Sequence, residues 1–321
     1  MNCADHKLII VTPVYEDAEA SSRLFKELAL QFTRDVFVVA VDDGSVIQPL
    51  EISSLEDAGV DGVVLKLRRN VGHQRAIAIG LGYASQIMRP DQRIVVMDSD
   101  GEDLPSTIVD LLSALTDTGA DVVVAQRESR VETLRFKVFY AVYKRFFRLM
   151  TGRSISFGNF MVLKPNALKR LVAMHELFTH VAGAVLASKL RTGRCSIDRG
   201  PRYAGQSKMN FVGLALHGFK GLMVFAEDVL VRVGIACALI AGLSVVAAAA
   251  AVVLKLLGIA TPGWFSVALG ILVLMFLQTG ALALMTLMLT GVVRGGTVTT
   301  TIAYHDFVEQ VIETKKPAGS A

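Results

Sequence analysis

Four acidic side chains fall within six positions of this chain: Asp98, Asp100, Glu102 and Asp103, around Ser99 and Gly101. They follow Ile94, Val95, Val96 and Met97, an apolar run that reads as a buried strand. The carboxylates therefore project from the strand's carboxyl end, the rim where open α/β sheets hold ligands. Asp98 and Asp100, one residue apart on a loop, have the hard oxygen chemistry to hold Mg²⁺ or Mn²⁺ against a diphosphate. Acidic residues after a strand are also ordinary turn formers, so this pair needs support from the rest of the chain.

That support comes from two more acidic loops and one basic loop. Pro13-Val14-Tyr15-Glu16 and Asp42-Asp43-Gly44-Ser45 each close an apolar run, Leu8 to Thr12 and Val36 to Val41. Three such loops on one rim suit a nucleotide bound through base, ribose and metal-bridged phosphates. Arg199, Arg202 and Lys208 lie in a glycine-containing loop with Ser207. Arginine matches phosphate oxygens in bidentate geometry, although the same charges could simply solvate a loop near an anionic surface. Other motifs fail on spacing. Gly80-Leu81-Gly82 sits inside a helical pattern and reads as helix packing, not a dinucleotide fingerprint. His175 and His180 are five apart, roughly 140° around a helix, which is not a zinc-protease arrangement. There is no serine nucleophile elbow and no phosphate-loop lysine motif.

The elements that must position these residues alternate. Strands are expected at residues 8–12, 36–41, 60–67, 93–97 and 121–125 and near 155–163, with helices at 18–32, from an opening stretch Arg69 to Gln74 up to Ser85, at 108–115 and at 165–177. This pattern predicts an α/β sheet with its functional loops on one rim. Between Arg127 and Arg153, eight basic residues interleave with aromatic and aliphatic ones, opposed only by Glu128 and Glu132. A basic amphipathic helix of this kind suits an anionic membrane surface, or a solvated face on a packed helix.

Hydrophobic residues make up 52% of the 321 residues, and their excess is concentrated near the carboxyl end. Residues 233–254 and 256–293 carry no charge. Each run exceeds the roughly 20 residues that cross a bilayer, so two membrane helices joined at Gly258 to Gly263 are expected. Lys208, Lys220, Arg232 and Arg294 flank their outer ends while the joining loop has no Lys or Arg, which predicts both termini on the cytoplasmic side. Met1 to His6 is polar, so no signal peptide is expected there. Cys3, Cys195 and Cys237 show no paired or metal-binding spacing, which suits a reducing compartment. A net charge of +4 gives no argument for nucleic acid as a partner.

In combination, the chain resembles a membrane-bound family 2 glycosyltransferase of the polyprenyl-phosphate group. It is similar to dolichol-phosphate mannose synthases and, more closely, to two-span bactoprenol glucosyltransferases. The resemblance covers about residues 7–290. It rests on Pro13 to Glu16, Val41 to Ser45, Arg69-Asn70-Val71-Gly72-His73-Gln74, Asp98-Ser99-Asp100 with Asp103 and Pro105, and the loop from Arg199 to Lys208. It implies a GT-A (Rossmann-like) nucleotide-sugar-binding domain with interface helices and two carboxyl-terminal membrane helices. The expected division is a donor half at 1–127, an acceptor-side half at 128–231, the two spans at 232–293 and a cytoplasmic tail at 294–321.

The implied partners are a UDP- or GDP-sugar donor, a polyprenyl phosphate acceptor and the cytoplasmic membrane, and the resemblance admits a homo-oligomer. Carried over, Pro13, Tyr15, Glu16 and Asp43 would line the base and ribose. Asp98 would face the nucleotide, and Asp100 would coordinate a divalent metal with it. Arg127, Arg199, Arg202, Ser207 and Lys208 would handle phosphates. The sugar would transfer with inversion. Three departures stand out: Asn159 in Gly158-Asn159-Phe160 where the family has a catalytic candidate Asp, Glu102 where Gln is usual, and Gln206 and Met209 within the basic motif. Asn cannot act as a carboxylate base. A phosphate monoester, with a second pKa near 6, is largely dianionic at pH 7 and needs little deprotonation, so Asn159 is expected to orient the acceptor. A hydroxyl acceptor would need a base such as Glu102 or Asp103, and the remaining alternative is a catalytically retired, membrane-tethered nucleotide-sugar binder.

Overall fold

Long apolar runs become the interior strands of one sheet. The computed structural model describes residues 3–33, 35–127, 134–155, 157–203, 211–259, 263–296 and 304–315. Its strands are β1 (Leu8–Val14), β2 (Val36–Asp42), β3 (Asp61–Leu67), β4 (Arg93–Val96), β5 (Val122–Arg127), β6 (Met161–Leu163), β7 (Thr192–Ile197) and β8 (Val308–Glu313). They form an eight-stranded sheet in the order β7-β5-β6-β4-β1-β2-β3-β8. Strands β3, β2, β1 and β4 are mutually parallel, and β5 and β7 are parallel to each other. The short β6 runs antiparallel between β4 and β5, and β8 is antiparallel to β3 at one edge.

Helices α1 (Ala18–Phe32), α2 (Ser53–Glu56), α3 (His73–Ile87), α4 (Ile108–Asp117), α5 (Leu134–Thr151), α6 (Pro165–Val172), α7 (Val181–Ala187) and α8 (Phe211–Met223) connect these strands or follow them. Alternation along each strand feeds two cores. Ile9, Val11, Val39 and Val41 face one side, with Ile77 and Leu81 of α3. Ile10, Val38 and Ala40 face the other, with Leu24 and Leu28 of α1 and Leu111 of α4. Gly80 is the packing glycine expected from the sequence. A Cβ there would lie 2.6 Å from Val11 Cγ1 and 2.8 Å from Val41 Cγ2, so glycine lets α3 settle against the sheet.

The mixed α/β, Rossmann-like sheet follows the expected architecture, with differences at its margins. The strand foreseen near 155–163 is confined to Met161–Leu163, and the helix foreseen at 165–177 ends at Val172 before a 3-10 turn at His175–Phe178. Strands β7 and β8 and helix α7 lie where the apolar pattern marked no element. Strand β7 (TGRCSI) is an edge strand, largely half-buried or exposed, and so lacks a continuous apolar run.

The chain divides into two units, residues 1–140, 155–224 and 301–321 in the first and 141–154 and 225–300 in the second. The sheet belongs to the first. The second contains α9 (Ala226–Leu256) and α10 (Trp264–Gly296), two helices long and apolar enough to cross a membrane. Large apolar side chains such as Leu239, Leu243, Leu287 and Met288 are exposed on them, unlike those of a soluble core helix. Within this unit Phe147 meets Phe225 edge-on, Arg153 lies over the Phe225 ring, and Arg232 Nη1 donates to the Leu149 carbonyl at 3.1 Å.

Candidate active site

Topology gathers the chemistry at one rim. The parallel strands β1, β2 and β4 deliver Pro13 to Glu16, Asp42 to Ser45 and Asp98 to Asp103 there. Order reverses between β1 and β4, the switch point where such sheets open a crevice. Because β6 is antiparallel, its amino-terminal end and the preceding Asn159 share this rim. Strand β5 ends at Arg127 on the same rim, and β7 delivers the loop carrying Arg199 and Arg202. Asp98, Glu102, Asp103, Asn159, Asp198 and Arg199 line a common pocket. The Arg127 side chain, Ser207 and Lys208 lie outside the described residues, as do Gln206 and Met209.

Several of these carboxylates organise loops. Asp43 is buried and accepts from the backbone N–H of Val71 at 2.7 Å and Gly72 at 3.0 Å, fixing the entry to α3. Burial outweighs those bonds and raises its pKa. Glu16, in the left-handed region at φ 48°, accepts from the N–H groups of Val46, Ile47 and Gln48 at 2.6–3.1 Å. Tyr15 beside it is exposed. Pro13 accepts from Ser99 Oγ at 3.1 Å, tying the first loop to the acidic turn.

The acidic turn is itself organised. Asp103 accepts from the Asp98 N–H, and Asp100 Oδ1 from the Glu102 N–H, both at 3.0 Å. Arg202 reaches Asp100 Oδ2 at 2.7 Å and Glu102 Oε1 at 3.1 Å, and Arg199 pairs with Glu102. Gly101, at φ 89°, leaves room for the Tyr203 ring where a Cβ would collide at 2.6 Å. Burial, then the nearby Asp98, raises the pKa of Asp100 against the pull of the arginines.

Beyond the turn runs a polar chain that links Asn159, the expected orienting residue, to side chains given no role from the sequence. The Val181 N–H donates to Gln74 Oε1 at 2.7 Å, and Gln74 Nε2 donates to Asn159 Oδ1 at 3.2 Å. Since a backbone N–H cannot flip, it fixes both carboxamides. Asn159 Nδ2 then lies 3.1 Å from His73 Nε2, which is also 3.2 Å from Asp98 Oδ1. As an imidazolium, His73 donates to Asp98; with its proton on Nδ1 it accepts from Asn159. Burial opposes the charged ring, but Asp98, Asp100 and Asp103 together outweigh it and raise the pKa. Farther along, His180 caps α7 by accepting the Gly183 N–H at Nδ1, 2.9 Å away. Its proton therefore sits on Nε2 and is given to His217 Nε2 at 3.1 Å. Both rings have lowered pKa values, mainly through burial, His180 to about 3.

Residues 9–178, more than half of the chain, match the model of glycosyl transferase family 2. The chain belongs to that family. This family 2 glycosyltransferase is 28% identical to the uncharacterized glycosyltransferase YkoT of Bacillus subtilis, over 82% of this chain and 81% of that protein. It is 23% identical to the undecaprenyl-phosphate 4-deoxy-4-formamido-L-arabinose transferase of Klebsiella pneumoniae, over 65% and 64% of the two chains. Its fold is similar to that of glucosyl-3-phosphoglycerate synthase from Mycobacterium tuberculosis, with a TM-score of 0.51 and 15% identity, over 70% of this chain and 80% of that one. That structure contains Mn²⁺, UDP-glucose and phosphoglyceric acid.

As a member of the family, the chain is an enzyme that transfers a sugar from a nucleotide-sugar donor. Its site residues fit a divalent cation by the chemistry of the donor set. Mg²⁺ typically takes one or two carboxylates and completes its shell with phosphate and water, and Asp98 and Asp100 are carboxylates on one short turn.

Proposed function

We propose that this glycosyltransferase moves a sugar, with inversion, from a UDP- or GDP-sugar to a polyprenyl phosphate at the cytoplasmic membrane face. The observation that carries this reading is the absence of a ready base among the residues expected to supply one. Position 159 is a carboxamide held by Gln74, Glu102 is paired with two arginines, and Asp103 is buried and accepts the Asp98 N–H. A hydroxyl acceptor needs its proton removed, whereas a lipid phosphate dianion arrives as a nucleophile. The name of the Klebsiella relative, which acts on undecaprenyl phosphate, supports the same acceptor class.

In this mechanism Tyr15 and the loops held by Glu16 and Asp43 shape the base and ribose pocket. Asp98 and Asp100 would hold Mg²⁺ or Mn²⁺, which supplies charge neutralisation for the departing diphosphate. Arg199 and Arg202, joined by Arg127, Ser207 and Lys208, steady phosphate oxygens. Asn159 orients the acceptor. An acceptor phosphate oxygen attacks the anomeric carbon from the face opposite the nucleotide. The bond from that carbon to the diphosphate breaks, and the nucleoside diphosphate leaves with the electron pair.

The membrane reading rests on α9 and α10 and on the chain's return to the sheet as β8. Two crossings would put both ends of the helical pair on one side, and flanking Lys220, Arg232 and Arg294 support a cytoplasmic assignment for that side. A second reading, a hydroxyl acceptor, would rely on Asp198, an exposed carboxylate lining the pocket. Membranes containing the protein should convert undecaprenyl phosphate and one member of a panel of labelled nucleotide sugars into a lipid heavier by one sugar residue, and Asp198→Asn should retain this turnover. Transfer only to hydroxyl acceptors, abolished by Asp198→Asn, would overturn the proposal.

A further inference from the structure

Glu102 sits at the centre of an ion-pair cluster that the transfer reaction does not by itself explain. One carboxylate oxygen pairs with Arg199 and the other with Arg202, whose guanidinium also reaches Asp100 at 2.7 Å. The Glu102 and Asp100 side chains are only 13% and 14% exposed. These are therefore pairs in which removing one partner strands a buried charge. The two guanidiniums expected to meet a diphosphate, Arg199 and Arg202, are thus already committed to carboxylates.

The loop that carries them is docked independently of those pairs. Gly200 N–H donates to the Glu102 carbonyl at 3.0 Å and Tyr203 N–H to the Asp100 carbonyl at 2.9 Å. The Tyr203 ring covers Gly101, its hydroxyl bonds to Glu27, and Arg23 stacks on it 4.4 Å from the ring centre. The arginine side chains can therefore change partners while the backbone stays in place.

Resting on the donor reading above, we infer that Glu102 is a positioning residue that stores Arg199 and Arg202 on the acidic turn, so that divalent cation and nucleoside diphosphate bind with positive coupling. Asp100 can offer its carboxylate to a cation only by releasing Arg202, and Arg202 can turn to a diphosphate only by leaving Asp100. Each ligand compensates the charge that the other leaves exposed. Without the cation, a diphosphate would enter beside Asp98, Asp100, Glu102 and Asp103 with both arginines still engaged. Reciprocity then requires the nucleotide to tighten cation binding by the same factor.

The test is equilibrium binding of UDP and GDP to the full chain in detergent or nanodiscs, with and without MnCl₂. The wild type should bind its nucleotide at least about tenfold more tightly with the cation, within the range usual for coupled sites. Glu102→Gln keeps the side-chain shape but loosens both arginines. It should bind nucleotide several-fold more tightly than wild type without cation and show a smaller cation effect. If that variant gives no cooperative melting, Asp100→Asn decides by metal-free nucleotide affinity alone, because it releases Arg202 directly but also removes a carboxylate assigned to the cation. Unchanged metal-free affinity with full wild-type coupling would overturn the inference and leave the donor reading standing. Binding of neither nucleotide at saturating cation would overturn both.

Discussion

Asp100 is under opposed electrostatic demands, because burial and Asp98 both disfavour its charge while Arg202 sustains it. Replacing it with Ala should lower transfer by about two orders of magnitude, the usual loss when one stabiliser of developing charge is removed. Radiolabelled sugar appearing in the lipid fraction at an unchanged rate would rule out this role. Asn159 makes the opposite prediction. An Asp there would still accept from Gln74, but its second oxygen would face His73 Nε2 and draw a proton onto that ring. If the acceptor needs no base, Asn159→Asp should change kcat less than about fivefold at pH 7, well below the contribution of general base catalysis. Turnover that is absent in the native protein and robust in this variant would mean that the native chain has lost an acid–base residue.

At the scale of elements, α3 and α7 show how packing sets what the rim can do. A methyl group on Gly80 would press into Val11 and Val41, so Gly80→Ala should cost about 1–3 kcal/mol, the usual range for overpacking, reduced by the better helix propensity of Ala. A thermal melt at unchanged or higher temperature would refute that contact. His180, held neutral with a pKa of about 3, gives α7 a pH signature. The unfolded chain binds a proton near pH 6.5 and the folded chain does not, so stability is complete above 6.5 and falls as pH drops toward 3. About 2 kcal/mol should be lost between pH 7 and pH 5, and His180→Asn, which keeps a capping acceptor, should flatten that slope in denaturant titrations. Elements were legible where burial wrote continuous apolar runs, as in β1, β2 and β4. They were not where a strand has three residues, as β6 does, or lies at an edge, as β7 and β8 do. The acidic turn was equally plain, since carboxylates after a buried run announce themselves. Its commitments were hidden. That Glu16 would hold the N–H groups of 46–48, that Asp43 would fix Val71 and Gly72, and that Gln74 would orient Asn159 depend on loops distant in sequence meeting at one rim.

For the whole molecule, β8 is the strongest constraint. After two helices that expose their apolar side chains, the chain rejoins the first unit as a strand antiparallel to β3, with Thr314 N–H donating to the Gly62 carbonyl at 3.0 Å and Gly62 N–H to Thr314 Oγ1 at 3.1 Å. Tyr304 fills the notch at Gly82 and its hydroxyl bonds to Gln86 on α3. A membrane cannot separate β8 from the sheet it completes, so the segments before α9 and after α10 must share one side whichever side that is. In a background lacking Cys3, Cys195 and Cys237, a membrane-impermeant maleimide should label Thr261→Cys in intact cells, between the helices, and label Glu309→Cys only after permeabilisation. Labelling of both positions in intact cells would show the sheet facing outward, away from a cytoplasmic nucleotide-sugar supply. Labelling of neither in intact cells, with both reached after permeabilisation, would mean that the apolar pair does not cross the bilayer.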